Sequence, residues 1–130
     1  TSVTNKADMC YKVGAVYYGL KKFVKAREYA QKAIALNSKF GQPYILIAQC
    51  YAANPNWSED GVMNRCTYYA ALDKLYRAKA IDPSVKKEAD KFIGTYKSYL
   101  PEISDLFMKG YKSGSTITIG GWINEKTTIQ

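Results

Sequence analysis

The segment YAQKAIALNS, Tyr29 to Ser38, returns in altered form as YRAKAIDPS, Tyr76 to Ser84. Aligned on Ala33 and Ala78, the two copies lie 45 residues apart. An internal repeat constrains a fold more tightly than composition does. Each copy is one supersecondary unit that cannot bury its apolar face alone, so neighbouring units must stack.

The pattern around the copies is helical. From Lys6 to Gly19 apolar residues recur at helical spacing, with Met9, Cys10, Val13, Val16, Tyr17 and Leu20 as the apolar set. A second run, Phe23 to Leu36, places Ala26, Ala30, Ala33 and Ala35 among Lys and Arg, and the intervening Leu20-Lys21-Lys22 makes a short turn. The first unit therefore reads as a helical hairpin. Gln42 to Ala53 forms the next helix, with Tyr44, Ile47, Ala48 and Tyr51 on one face, until NPNWSEDG breaks it. Helical pattern resumes from Asn64 to Ile81. It stops at Asp82, which can cap, and Pro83, which can open the following helix. Ser84 to Leu100 and a short segment from Pro101 to Gly110 read as helix. The last stretch, STITIGGWINEKTTIQ, alternates polar with apolar residues around Gly120-Gly121, which favours extended chain or a weak hairpin.

The first hairpin resembles a tetratricopeptide repeat, a helix–turn–helix unit of 34 residues. Val13, Gly14, Tyr17 and Tyr18 match the centre of that unit's first helix, and Phe23, Ala26 and Ala33 match its second. Ser38 stands where the family usually has Pro, Cys10 where Trp is common, and Lys21 where Gly is common. Gly14 and the alanines are small where two backbones must approach closely. One period on, Tyr44, Ile47, Ala48 and Tyr51 fall on the first helix of a second unit. Its second helix, with Ala71, Leu75, Ala78 and Pro83, arrives 11 residues late, since 45 minus 34 is 11. The extra residues belong around Asn54 to Arg65, and Ala89, Phe92, Ile93 and Tyr96 begin a third, capping unit.

The resemblance implies an all-α fold: a right-handed stack of helical hairpins with a short extended C-terminal tail. Its expected parts are units at about 7–40 and 41–84, capping helices at 85–109, and a tail at 111–130 packed on the domain or extending from it. It also implies a concave face for protein or peptide, lined by the first helix of each unit. The positions concerned are Asp8, Tyr11, Ala15 and Tyr18, then Gln42, Ile45, Gln49 and Ala52, then Lys87, Asp90, Gly94 and Lys97. Tyr11, Ala15 and Gln49 stand at key positions of the Lys, Asn and Arg clamp with which some family members grip a chaperone carboxylate. That role is not expected here.

Other chemistry is thinly represented. The chain has no His, which removes the Ser-His-Asp and Cys-His arrangements and the commonest metal ligand. Its 11 acidic residues are scattered, so we expect a non-catalytic protein without cofactor. Asn54, Asn56, Ser58 and Asp60 faintly resemble a calcium loop, but Arg65 stands where the bidentate Glu should be, and no metal site is expected. Gly110 to Thr116 is glycine-rich without the Lys or preceding strand of a phosphate loop.

Three features bear on partner and compartment. Of the net charge of +8, residues 1–40 carry +6. Lys21, Lys22, Lys25 and Arg27 would be the contacts if nucleic acid were bound, although no stacking aromatics interleave with them. No apolar run approaches the 18 residues of a membrane span. Cys10 is expected to be buried, while Cys50 and Cys66 flank the insertion and could close it as a disulfide. A bridge there would tilt localisation towards the periplasm or envelope rather than the cytoplasm. The tail has a weak resemblance to the ends of some bacterial envelope-associated repeat proteins, and its Trp122 either docks on the chain's own helices or joins a neighbour. These features keep open a second reading, a structural subunit of an envelope assembly that self-associates through tail and insertion.

Overall fold

The computed structural model describes residues 2–130. The chain is mostly helical and ends in a small two-stranded sheet. Helix α1 (Ser2–Gly19) and α2 (Phe23–Leu36) form the first hairpin, and α3 (Gln42–Ala53) pairs with α5 (Thr67–Ile81) in the second. Between these last two lies the inserted segment with the short α4 (Gly61–Arg65). A 3-10 turn at Pro83–Val85 leads into α6 (Lys86–Lys97), which packs on α5 and is followed by α7 (Ile103–Met108). Strands β1 (Thr116–Ile119) and β2 (Glu125–Thr128) close the chain. Among the described residues no helix is long and apolar enough to cross a membrane.

Close packing explains the small residues. Ala26, Ala30 and Ala33 of α2 and Ala70, Ala71 and Ala78 of α5 are fully buried. A Cβ on Gly14 would stand 3.1 Å from both the Ala26 carbonyl and Leu46 Cδ2, so α1 touches α2 and α3 through that glycine. Gly41 is tighter still: a Cβ there would lie 2.7 Å from Val85 Cγ2 and 2.8 Å from Asp82 Cβ. At that junction the Asp82 carboxylate accepts from the Gly41 N–H (2.9 Å) and the Ser84 N–H (3.1 Å), joining the start of α3 to the start of α6.

The α1–α2 turn closes as a Schellman motif. The Lys22 N–H donates to the Tyr17 carbonyl and the Lys21 N–H to the Tyr18 carbonyl, both at 2.9 Å, with Lys21 left-handed at φ 60°. The position at which the repeat pattern favours glycine is thus occupied by a lysine in the conformation glycine prefers.

The tail is a hairpin, not a free extended segment. β1 and β2 pair antiparallel with Ile117 opposite Thr127 and Ile119 opposite Glu125. Ile117, Ile119 and Thr127 are buried, the threonines at 116, 118 and 128 are exposed, and β2 lies against α5. The alternation seen in the sequence is that of a two-stranded ribbon with one face on the helices.

Candidate functional site

Three helices, α1, α3 and α6, contribute side chains to one face. The Tyr11 hydroxyl, midway along α1, donates to Gln42 Oε1 at the start of α3 (3.4 Å), and Gln42 Nε2 donates to Glu88 Oε2 in the first turn of α6 (2.8 Å). This chain of polar groups ties the three helices side by side. Tyr11 also meets Phe40 edge-on, with ring centroids 5.5 Å apart. Burial, then the negative charges of Glu88 and Asp8, push its hydroxyl above the usual range, so it stays a neutral donor.

Further along, Tyr18 of α1 packs on Phe23 and is half-buried. Burial raises its hydroxyl, and so does nearby Cys50 of α3. Burial likewise raises Tyr96 of α6, with Tyr18, Tyr68, Cys50 and Tyr99 adding to it. Tyr96 packs against Phe92 and Tyr68, and Tyr68 also packs against the exposed Tyr99. The face therefore carries the hydrogen-bonded groups around Gln42 and the half-buried ring of Tyr18, while Tyr96 belongs to the core.

The expected groove residues divide into two sets. Asp8, Tyr11, Tyr18, Gln42 and Gln49 are half-buried, partly open to solvent. Ile45 is 1% exposed and belongs to the core, so it cannot touch a partner. On α6 the counted register does not carry over. Asp90 is bound by Lys79 of α5 and by Lys86 of its own helix, which hold its carboxyl below the usual range. The Lys97 ammonium stands 6.0 Å from the Tyr76 ring of α5. These two residues are engaged with α5, and Lys87 is exposed. Glu88, one residue from the counted position, is the one that reaches Gln42.

The cysteines also differ from expectation. Cys50 and Cys66 are free thiols and fully buried, whereas Cys10 is only half-buried. Burial pushes Cys50 up to about 12 and Cys66 up to about 11. The insertion is held by hydrogen bonds and packing where a bridge was expected. Asn64 Oδ1 accepts from the N–H groups of Trp57 (3.1 Å) and Ser58 (2.8 Å), and the Thr67 hydroxyl donates to the Pro55 carbonyl at 2.9 Å. Asp60 caps α4 through the Val62 and Met63 N–H groups and pairs with Lys109. Its carboxylate is thus already occupied, and among the described residues no group of acidic or Cys side chains could hold a metal ion.

Trp122 docks on its own domain. Its ring lies 5.5 Å from Tyr51 and 6.4 Å from Phe23, and the Arg27 guanidinium sits 4.9 Å from its centroid. Arg27 also donates to the Trp122 carbonyl (2.8 Å), the Ile123 carbonyl (2.9 Å) and the Tyr51 hydroxyl (3.2 Å). Of the basic cluster considered for nucleic acid, Arg27 is thus a clasp for the hairpin, while Lys21, Lys22 and Lys25 remain exposed. The insertion meets the same hairpin, since a Cβ on Gly120 would lie 2.8 Å from Trp57 Cε3. The one available signal for that contact was the Gly120-Gly121 pair beside a second tryptophan in the sequence. No protein-family model, curated protein or solved structure matches the chain.

Proposed function

We propose that this chain is a non-catalytic helical-repeat module that binds an extended peptide or a partner's helix along the face of α1, α3 and α6. The observation that carries the reading is the Tyr11–Gln42–Glu88 bridge, which makes one continuous surface of three helices. Half-buried tyrosines and glutamines suit such a surface. Tyr brings large contact area at low entropic cost, and Gln can both donate to and accept from a peptide backbone. The repeat pattern of the sequence, with its small residues at helix crossings, supports a stacked architecture of the tetratricopeptide kind. The buried thiols and the committed carboxylates at positions 60 and 90 leave little for chemistry to use.

The test is selection of random 12-residue peptides on the immobilised protein, followed by affinity measurement on the enriched sequences. Tyr11→Ala and Gln49→Ala should each weaken binding by about tenfold, or 1.4 kcal/mol, with the helical circular dichroism unchanged. A selection that enriches nothing over the bare support would overturn the proposal. So would peptides whose affinity ignores both substitutions.

A further inference from the structure

The two outward faces of the helical body are unlike each other. The exposed residues of α6 include Lys86, Lys87, Lys91, Gly94 and Thr95, a polar surface suited to water. On α1 the side turned away from α2 and α3 carries Met9, Val13, Val16 and Leu20, at positions i, i+4, i+7 and i+11. Met9 is 67% exposed, Val16 63% and Leu20 61%. Val13 between them is half-buried, whereas no residue of the same chain covers the other three. A second apolar patch lies on α7, where Ile103 and Phe107 stand one turn apart, 47% and 68% exposed.

The charges around the two patches are opposite. Residues 1–25 carry Lys6, Lys12, Lys21, Lys22 and Lys25; Lys12 is paired with Asp8 and Lys25 with Glu28, which leaves Lys6, Lys21 and Lys22 in no ion pair among the described residues. Residues 101–108 carry Glu102 and Asp105 and no base; Arg65 lines the same cavity as both, which brings −2 to −1, and neighbouring Asp60 and Lys109 satisfy each other. A symmetric pairing of two α1 stripes would set these lysines against their own copies. Pairing α1 of one copy with α7 of another matches apolar to apolar and base to acid.

We infer that the α1 stripe is the docking surface for α7 of a second copy of this chain, in a head-to-tail contact. Because the two surfaces differ, each copy leaves one of each free, and the association is heterologous and extends beyond a dimer unless it closes into a ring. This contact uses neither the α1–α3–α6 face nor the docked Trp122.

The experiment is sedimentation velocity over rising concentration at low salt, with the unmodified chain, Val16→Lys and Phe107→Lys. Both substituted side chains are exposed, so both variants should keep the unmodified denaturation midpoint, which is measured as a control. The unmodified chain should grow from 14.6 kDa to several multiples of that mass, and added salt should reverse the growth. Each variant alone should stay at 14.6 kDa. An equimolar mixture of the two should form a species of twice 14.6 kDa and nothing larger, because one variant keeps its α7 and the other its α1. The inference fails if the unmodified chain is monomeric throughout or if the mixture stays monomeric. It also fails if Val16→Lys abolishes association while Phe107→Lys leaves it intact.

Discussion

Arg27 is the side chain on which the docking of the hairpin most depends, and its replacement tests how the tail is held. Its guanidinium donates to two carbonyls of the hairpin turn at 2.8 and 2.9 Å and lies over the Trp122 ring. Each hydrogen bond from a charged donor contributes about 1.5–3 kcal/mol, and the ring contact about 0.5–2 kcal/mol. Arg27 is half-buried, so water can replace part of what is lost. We therefore expect Arg27→Ala to cost about 2–4 kcal/mol, a large share of the roughly 5–15 kcal/mol that stabilises a domain. Arg27→Lys keeps the charge but cannot fork between two carbonyls, and should lose about half as much. Urea unfolding followed by tryptophan emission gives the stabilities, and limited proteolysis should show new cleavage within residues 111–130. Should Arg27→Ala unfold within 0.5 kcal/mol of the parent and keep a protease-resistant tail, the clasp would be refuted.

Four further outcomes are expected. Lys21→Gly should stabilise the protein by about 0.5–1 kcal/mol, since φ 60° strains a lysine and suits glycine; a loss of stability would contradict the turn geometry. Gly41→Ala should destabilise by about 1–3 kcal/mol because its Cβ would press on Val85 and Asp82, and a neutral result in thermal melts would mean the junction can open. Alkylation at pH 8 should modify Cys10 alone in the folded protein and all three thiols after denaturation without reductant, whereas two masked thiols in the denatured chain would restore the bridge. For Asp82, burial pushes the carboxyl up, but the bonds from Ser84 and Gly41 outweigh it and hold it below the ordinary 3.8. Its contribution is thus present above pH 3.8 and lost as pH falls through the lower folded value. Asp82→Ala should cost about 1–2 kcal/mol at pH 6 and progressively less as pH is lowered below 3.8, read from denaturation midpoints across a pH series.

The helical elements were readable where local chemistry and tertiary packing agree. Phe23–Leu36 and Gln42–Ala53 follow the sequence pattern residue for residue, because turn residues bound them and buried alanines mark their contacts. Asp82 and Pro83 act as cap and first residue as their types dictate. The stripe of Met9, Val16 and Leu20 was legible as helix, but periodicity cannot say whether an apolar face meets the core or solvent. Cys50 and Cys66 drew a disulfide reading from their places at the two ends of the insertion, whereas Asn64, Thr67 and Trp57 supply the restraint through contacts that no spacing rule encodes. Glu88 escaped notice, and Arg27 was read only within a basic cluster, for a related reason. A charged residue on a helix reads as solvated surface until its partner across the fold is known.

The central claim is that the α1–α3–α6 face receives a peptide. The most direct measurement is amide chemical-shift mapping of the labelled chain on addition of an enriched peptide. The account predicts that the shifted resonances cluster around Tyr11, Tyr18, Gln42, Gln49 and Glu88, with the hairpin unmoved. Shifts confined to β1, β2 and the inserted segment would contradict it and assign binding to the hairpin and insertion.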